Sequence, residues 1–178
     1  EVIKQIHIDN IEAGADVITT SNYQATPELL KREPSAPSYQ DLAKRSLELC
    51  QEAIIQTGTQ TKIAGCFPPI HVTFRPDLSS KEKQLRKFYE TLGEIYQDEV
   101  DIIICETMAS IYEGTIAAST GKNFSNKELI GSELPILNIN YKQKKPFEKI
   151  STKSNKYIIN CFSVALEMSK VKKINGFI

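Results

Sequence analysis

The sequence predicts an α/β protein of the (β/α)8 barrel type, present as an incomplete barrel. Short apolar, β-branched runs alternate with amphipathic helical patterns, and each run ends on polar residues. Parallel strands that carry side chains to one end of a sheet show this pattern. No G-x-G-x-x-G or G-x-x-x-x-G-K-[ST] motif occurs, which favours a barrel over a nucleotide-binding sheet. A complete barrel takes about 250 residues, so the 178 residues predict a single, partial barrel domain over 1–178.

The strand predictions rest on runs too short and too β-branched for helices. They cover residues 15–20, 61–66, 100–105 and 157–161. A polar zone, 122–155, is rich in Lys, Asn and Ser; within it 135–141 could form a strand and 146–150 a helical turn. The final residues, 174–178, could begin another strand.

Helical patterns separate these strands, and their apolar stripes are expected to pack against the sheet. The cues are a capping Ser at the start and a Gly at the end. The predicted helices are 1–13 before Gly14, a segment from the Ser38 cap to Gly58, a segment opened by Ser79, residues 110–119 before Gly121, and a segment capped by Ser163.

Charge and cysteine content exclude several classes of protein. Lys plus Arg and Asp plus Glu both total 22, so no net field favours nucleic acid or a membrane surface as a partner. No apolar run reaches the roughly 20 residues of a membrane span. Three of the four cysteines fall within or at the end of predicted strands rather than in a disulfide framework. We therefore expect a cytoplasmic protein.

Polar residues at the strand ends are the candidates for chemistry. They are Thr20 and Asn22, Glu106, and the pair Asn160 and Cys161. By residue type alone, a buried cysteine is usually a small hydrophobic residue, and a strand-end glutamate could simply pair with a lysine.

Three other residues are weaker candidates. Cys105 precedes Glu106 on the same strand and should face the opposite side, against the helices. Cys66 and His71 have a spacing that could suit a metal, but two prolines constrain the loop between them. His7 is expected to be a surface or packing residue of the first helix.

Four passages together resemble the homocysteine S-methyltransferase family. Residues 5–25, QIHIDNIEAGADVITTSNYQA, are similar to its H-x-x-Y-x-x-A-G-A-D-x-I-x-T-x-T/S-Y-x-A passage. Residues 64–69 (AGCFPP) with 74–78 (FRPDL) resemble its Gly-rich third strand, and 100–108 (VDIIICETM) its fourth. Asn160-Cys161 matches its later Asn-Cys motif. Because the four occur in the family's order, the resemblance covers most of the chain. It also implies a fifth strand directly after Gly121-Lys122, where this sequence is instead polar, and residues 129–133 resemble the loop that follows that strand.

The resemblance implies a zinc-dependent transfer of a methyl group to homocysteine, giving methionine. In the family three thiolates hold one zinc ion, and Cys161 matches the first of them. The other two thiolates belong to a Gly-Gly-Cys-Cys motif that is expected after Ile178, so only one zinc ligand is expected in this chain. The family's first strand, which carries an Asp-Gly-Gly motif, is expected before Glu1. The thiolate form of homocysteine is the nucleophile, and zinc binding produces it by deprotonating the substrate thiol.

Roles for the remaining strand-end residues follow from the same resemblance. Glu106 would bind the ammonium group of homocysteine. Thr20 and Asn22 would hydrogen-bond substrate, and Asn160 would bind substrate or orient the backbone. The methyl donor would be a sulfonium or quaternary ammonium compound, whose identity stays open, as does the oligomeric state.

Two alternatives remain at this point. The chain could be a non-catalytic fragment or scaffold of the same fold that lacks the zinc site. It could also belong to another barrel enzyme that uses Glu106 as a base without a metal.

Overall fold

The structure is a computed structural model that describes residues 1–72, 75, 77–78, 80–124 and 128–133. The predicted strand at 157–161, the helix from Ser163, and the assignments within 135–150 and 174–178 lie outside the described residues. Asn160 and Cys161 lie outside them as well.

Helices and strands alternate along the described chain. In chain order they are α1 (Val2–Glu12), β1 (Val17–Thr19), α2 (Pro27–Leu30), α3 (Tyr39–Thr57), β2 (Lys62–Phe67), α4 (Glu82–Tyr96), β3 (Ile102–Met108), α5 (Ile111–Gly121), a 3-10 turn (Lys122–Phe124) and β4 (Glu128–Glu133). The predicted strands near 15–20, 61–66 and 100–105 are confirmed, and so are the helices predicted between them.

The four described strands form one parallel sheet in the order β1-β2-β3-β4. Sequential order with parallel pairing requires a crossover between each pair of neighbours, and α3, α4 and α5 supply these crossovers. Consecutive helices also contact each other, α1 with α3, α3 with α4, and α4 with α5. The helices therefore form a continuous row along the sheet.

The hydrophobic core lies between this row of helices and the sheet. Each of the first three strands contributes buried residues, including Ile18, Ile63 and Ile103, and α4 contributes buried Leu85 and Tyr89. No helix within the described ranges is long and apolar enough to cross a membrane.

The loop expected at 129–133 is wrong, because Glu128–Glu133 forms strand β4 beside β3. Leu129 pairs with Ile103 and Ile130 with Ile104. Only two consecutive apolar residues mark this strand in the sequence, and its neighbours are Glu, Gly and Ser. The pairing edge that β3 offers, rather than local propensity, accounts for the strand.

The helix starts also differ from the sequence prediction in two places. Helix α4 begins at Glu82 with Lys81 at its N-cap, so Ser79 is not the capping residue. The Gln84 side chain accepts a hydrogen bond from the Lys81 backbone N–H at 3.3 Å and satisfies one free donor there. The short helix α2 was not predicted, although Thr26 at its N-cap and Pro27 at its first position are ordinary start signals.

A close approach between β2 and α4 fixes which face of β2 meets the helices. A Cβ added to Gly65 would lie 2.7 Å from Cδ2 of the Tyr96 ring, so the missing side chain faces α4. Side chains alternate along a strand, which turns Cys66 to the opposite face of the sheet. Glycine is thus required here for helix–strand contact, not for a turn.

We predict that Gly65→Ala destabilises the protein by about 1–3 kcal/mol, because the added methyl group overpacks against a fully buried ring. Lys62→Ala, at the exposed start of the same strand, is the control and should change stability by less than about 0.5 kcal/mol. Urea unfolding of both variants measures the difference. Equal stability of the two would contradict the close packing.

Candidate active site

The carboxyl ends of β1, β2 and β3 bring four polar side chains into one hydrogen-bonded group. They are Thr20 and Asn22 after β1, Cys66 near the end of β2, and Glu106 in β3. The three strands run parallel, so their carboxyl ends meet at the same edge of the sheet. Three of the predicted site residues, Thr20, Asn22 and Glu106, therefore lie together.

Thr20 and Asn22 hold the peptide groups around Cys66 from both sides. The Thr20 hydroxyl accepts from the Cys66 backbone N–H at 2.9 Å and donates to Asn22 Oδ1 at 2.7 Å. The Asn22 Nδ2 donates to the Cys66 carbonyl at 3.1 Å. Both side chains are at least 97% buried, with exposures of 3% and 1%. Their described hydrogen bonds thus go to protein groups.

The Cys66 thiol reaches across to Glu106. Its Sγ donates to Glu106 Oε2 at 3.1 Å. Burial, followed by the nearby Glu106 charge, raises the pKa of the Cys66 thiol well above its ordinary value. The thiol is therefore protonated near neutral pH and acts as a donor to the carboxylate, while Glu106 itself remains only partly buried.

A bulge in β3 occurs at Glu106 and Thr107. Cys105 pairs with Gly131 and Met108 with Glu133, so three steps along β3 match two along β4. Cys105 faces the helix-side core, as predicted, and Met108 lies in that same core although strict alternation would turn it away. The extra residue accounts for this, and bulges of this kind re-aim side chains beside active sites.

Thr107 has a left-handed backbone, with φ of 52°. This conformation is unfavourable for a β-branched residue and is found where surrounding structure enforces it, often at functional sites. The residue directly follows Glu106, so the strained backbone helps to set the direction of that carboxylate.

We predict that Thr107→Gly is more stable than Thr107→Ala by about 1–2 kcal/mol, because only glycine adopts this conformation without strain. Both changes remove the hydroxyl and the γ-methyl group, and only glycine also removes Cβ, the atom whose crowding makes the left-handed conformation unfavourable. Urea midpoints of the two variants measure the difference. In a regular strand an alanine variant is more stable than a glycine variant. That result here would show that the backbone at Thr107 is not strained.

An open cleft of about 630 Å³ lies at the same edge of the sheet. Residues from two loops and one strand end line it, among them Tyr23 after β1, His71 after β2 and Thr107 near the end of β3. Arg32 and Glu33 add one charge of each sign to its wall. The volume is in the range of small-molecule sites.

One wall of the cleft is held by a buried glutamate that the sequence did not reveal as important. Glu113 Oε1 accepts from the Ile70 backbone N–H at 2.7 Å and from the Tyr89 hydroxyl at 2.9 Å. The Thr26 hydroxyl donates to the Ile70 carbonyl at 2.8 Å, so both polar groups of that residue are fixed. In the sequence Glu113 resembles an ordinary acidic residue in the first turn of a helix capped by Ser110.

We predict that Glu113 makes the protein less stable as pH rises. Burial raises the pKa of Glu113 above its ordinary value of 4.5, so the folded state binds its proton more tightly than the unfolded state does. Its contribution to stability is complete below pH 4.5 and falls as pH rises through the raised pKa. Glu113→Gln keeps an acceptor and should lose this decline in urea midpoints measured across the acidic and neutral range.

The matched control is Glu113→Ala, which removes the acceptor altogether. It leaves the Ile70 N–H without this partner, at a cost of about 1–3 kcal/mol at every pH, whereas the Tyr89 hydroxyl keeps the Pro68 carbonyl as an acceptor at 3.1 Å. A Gln variant with the same pH profile as the unmodified protein would contradict the assignment.

His7 is buried, which confirms the packing alternative, and it lies beside the chain that leaves β1. Its Nε2 is 3.2 Å from Ser21 Oγ, directly after β1, and 3.5 Å from Cys50 Sγ on α3. Burial lowers the pKa of His7 and raises that of Cys50 to about 12, so both are neutral at physiological pH. The cluster joins α1 to α3 and to the end of β1.

Comparison with known proteins decides the family. The family model described as homocysteine S-methyltransferase matches residues 1–171. The chain belongs to the homocysteine S-methyltransferase family. It is 46% identical over 54 residues to homocysteine S-methyltransferase 1 of Arabidopsis thaliana, and 42% identical over 53 residues to selenocysteine methyltransferase of Astragalus bisulcatus. These alignments cover 30% and 29% of this chain, and 17% and 16% of the two relatives.

Solved structures of the same kind share the fold. The metallated form of the homocysteine methyltransferase MmuM from Escherichia coli matches with a TM-score of 0.62 and 22% identity. The match covers 72% of this chain and 50% of that protein, so the chain spans about half of its length. The apo form of MmuM matches with a TM-score of 0.55.

The described residues of this homocysteine S-methyltransferase family member do not form a zinc site by themselves. Within it no three His, Cys, Asp or Glu side chains converge as a metal site would require. Cys66 is protonated and bonded to Glu106, and His71 Nε2 lies 3.0 Å from Ser80 Oγ. The weaker metal site considered for Cys66 and His71 thus has no third donor among these residues. Cys161, the ligand implied by the resemblance, lies outside them.

Proposed function

We propose that the protein to which this chain belongs is a homocysteine S-methyltransferase. It would transfer a methyl group from a sulfonium or quaternary ammonium donor to the thiol of homocysteine and yield methionine. A positively charged leaving centre is needed because displacement then releases a neutral product. The observation that carries the proposal is the family match over residues 1–171, and it is supported by a partly buried Glu106 carboxylate at the carboxyl end of β3.

Glu106 is suited to bind the ammonium group of an amino-acid substrate. The Cys66 thiol occupies one site on Oε2, whereas an ionised carboxylate offers about four acceptor positions. The side chain is only partly buried, and the next residue, Thr107, lines the cleft. In this proposal the ammonium group of the substrate reaches the exposed part of the carboxylate and forms a charge-assisted hydrogen bond with it.

Thr20 and Asn22 contribute to this site through the protein. Both were expected to bind substrate directly, and the bonds described above support an indirect role in which they fix the end of β2. Asn160 keeps its proposed role next to Cys161, in binding substrate or orienting the backbone.

The barrel is also part of the proposal. The sequential order of parallel strands and the continuous row of contacting helices support a sheet that curves toward closure as one domain. A doubly wound sheet would instead have helices on both faces.

Zinc belongs to the proposal through Cys161. When bound, zinc makes a thiol a nucleophile at neutral pH by favouring its thiolate form. Cys161 would supply one soft anionic ligand, and the described residues would bind and orient homocysteine around it.

We predict that Glu106→Gln and Cys161→Ser have different effects in the full-length protein. Glu106→Gln should weaken homocysteine binding by about one to two powers of ten and leave zinc in place, because it removes the charge that binds the substrate and removes no zinc ligand. Cys161→Ser should lower zinc content and methyl transfer together, because a serine hydroxyl does not replace a thiolate ligand. Titration calorimetry with homocysteine and metal analysis measure both.

Cys105→Ala is the control for both variants, since Cys105 faces the helix-side core next to Glu106. It should keep both zinc and homocysteine affinity. Unchanged homocysteine affinity in Glu106→Gln would remove Glu106 from the site, and full zinc content in Cys161→Ser would remove Cys161.

A further inference from the structure

We propose that Cys66 is a positioning residue whose thiol holds the Glu106 carboxylate in the direction that the substrate requires. This inference rests on the proposed function, because it adds a residue to the homocysteine site. The contact that carries it is the hydrogen bond from Cys66 Sγ to Glu106 Oε2 at 3.1 Å, between residues 40 positions apart in the sequence.

The direction of the thiol is fixed by the backbone at Cys66. The N–H donates to the Thr20 hydroxyl at 2.9 Å, and the carbonyl accepts from Asn22 Nδ2 at 3.1 Å. The Thr20 hydroxyl is in turn 3.2 Å from the hydroxyl of buried Tyr96 on α4. With both sides of the residue held, the Cα–Cβ bond has one direction, and the side chain has only χ1 left to set.

The Glu106 carboxylate needs a hydrogen-bond partner on the neighbouring strand because its own strand is irregular at this point. It lies in the bulge of β3, where the ladder with β4 is interrupted, and it precedes the strained Thr107. A bulge gives a side chain a new direction but removes part of the regular pairing that would hold it. The Cys66 thiol supplies a fixed point from the neighbouring strand, β2.

The thiol is suited to this role rather than to chemistry of its own. Cys66 is completely buried, and a raised pKa keeps its proton in place. A thiolate is the reactive form of cysteine, so a permanently protonated thiol is a poor nucleophile and a poor metal ligand. A protonated thiol beside a carboxylate has one favourable arrangement, in which the sulfur donates and the oxygen accepts.

Cys66→Ala and Cys66→Ser test the proposal in the full-length protein. The alanine variant removes the donor and should weaken homocysteine binding about three- to tenfold, the loss expected for one hydrogen bond. The serine variant keeps a hydroxyl donor at the same position and should stay within about twofold of the unmodified protein. Cys105→Ala, a buried cysteine on the other face of β3, is the control for loss of packing and should also stay within about twofold.

A second measurement needs no substrate. Urea midpoints of Cys66→Ala, Glu106→Ala and the double variant form a double-mutant cycle. We expect the double variant to be more stable than the two single effects added together predict, because each single change already removes the shared bond. In the Glu106→Ala background, Cys66→Ala should cause no further loss of homocysteine affinity.

The outcomes separate the two proposals. Additive urea midpoints, or a serine variant as weak in homocysteine binding as the alanine variant, would overturn the role of Cys66. Coupled midpoints in a protein that binds no homocysteine would instead overturn the proposed function while the contact between Cys66 and Glu106 stands.

Discussion

The hydroxyl of Thr20 is the interaction on which the geometry of the site depends. It accepts from the Cys66 N–H, donates to Asn22 and lies beside the Tyr96 hydroxyl, so one oxygen joins β1, β2 and α4. The backbone ladder between β1 and β2 ends here, with the Thr20 N–H bonded to the Ala64 carbonyl at 2.9 Å. Beyond that point, side chains replace backbone pairing, because buried N–H and carbonyl groups without partners would cost about 1–3 kcal/mol each.

A second residue, four positions further along the chain, also has both its backbone N–H and its carbonyl bonded to buried side chains. The N–H and carbonyl of Ile70 are held by Glu113 and Thr26, as those of Cys66 are held by Thr20 and Asn22. Together these two sets of hydrogen bonds fix the loop after β2, which forms a wall of the cleft. A binding site on loops gains precision when its supporting side chains are themselves buried and fully bonded. Here the support comes from the loop after β1 and from the first turn of α5.

Glu106 illustrates how regular and irregular structure combine in one residue. Parallel order brings β3 beside β2, and this places the carboxylate within reach of the Cys66 thiol. The bulge and the left-handed Thr107 then change the direction of the chain directly after it. Strain of this kind persists only when the surroundings enforce it, and the buried Met108 side chain, packed near Tyr89, holds the strand on the far side of the bulge.

The sequence by itself determined the alternation of strands and helices, the strand ends that carry Thr20 and Glu106, and the family. These follow from local signals: β-branched runs, capping residues, and motifs in a set order. Tertiary structure alone decided that Leu129 and Ile130 form a strand, since the free edge of β3 supplies the partner. It alone also decided that Cys66 contacts Glu106 and that Glu113 holds the loop after β2. Both contacts join residues about 40 positions apart, and such pairs are set by the register of strands and the packing of helices, which no local pattern records.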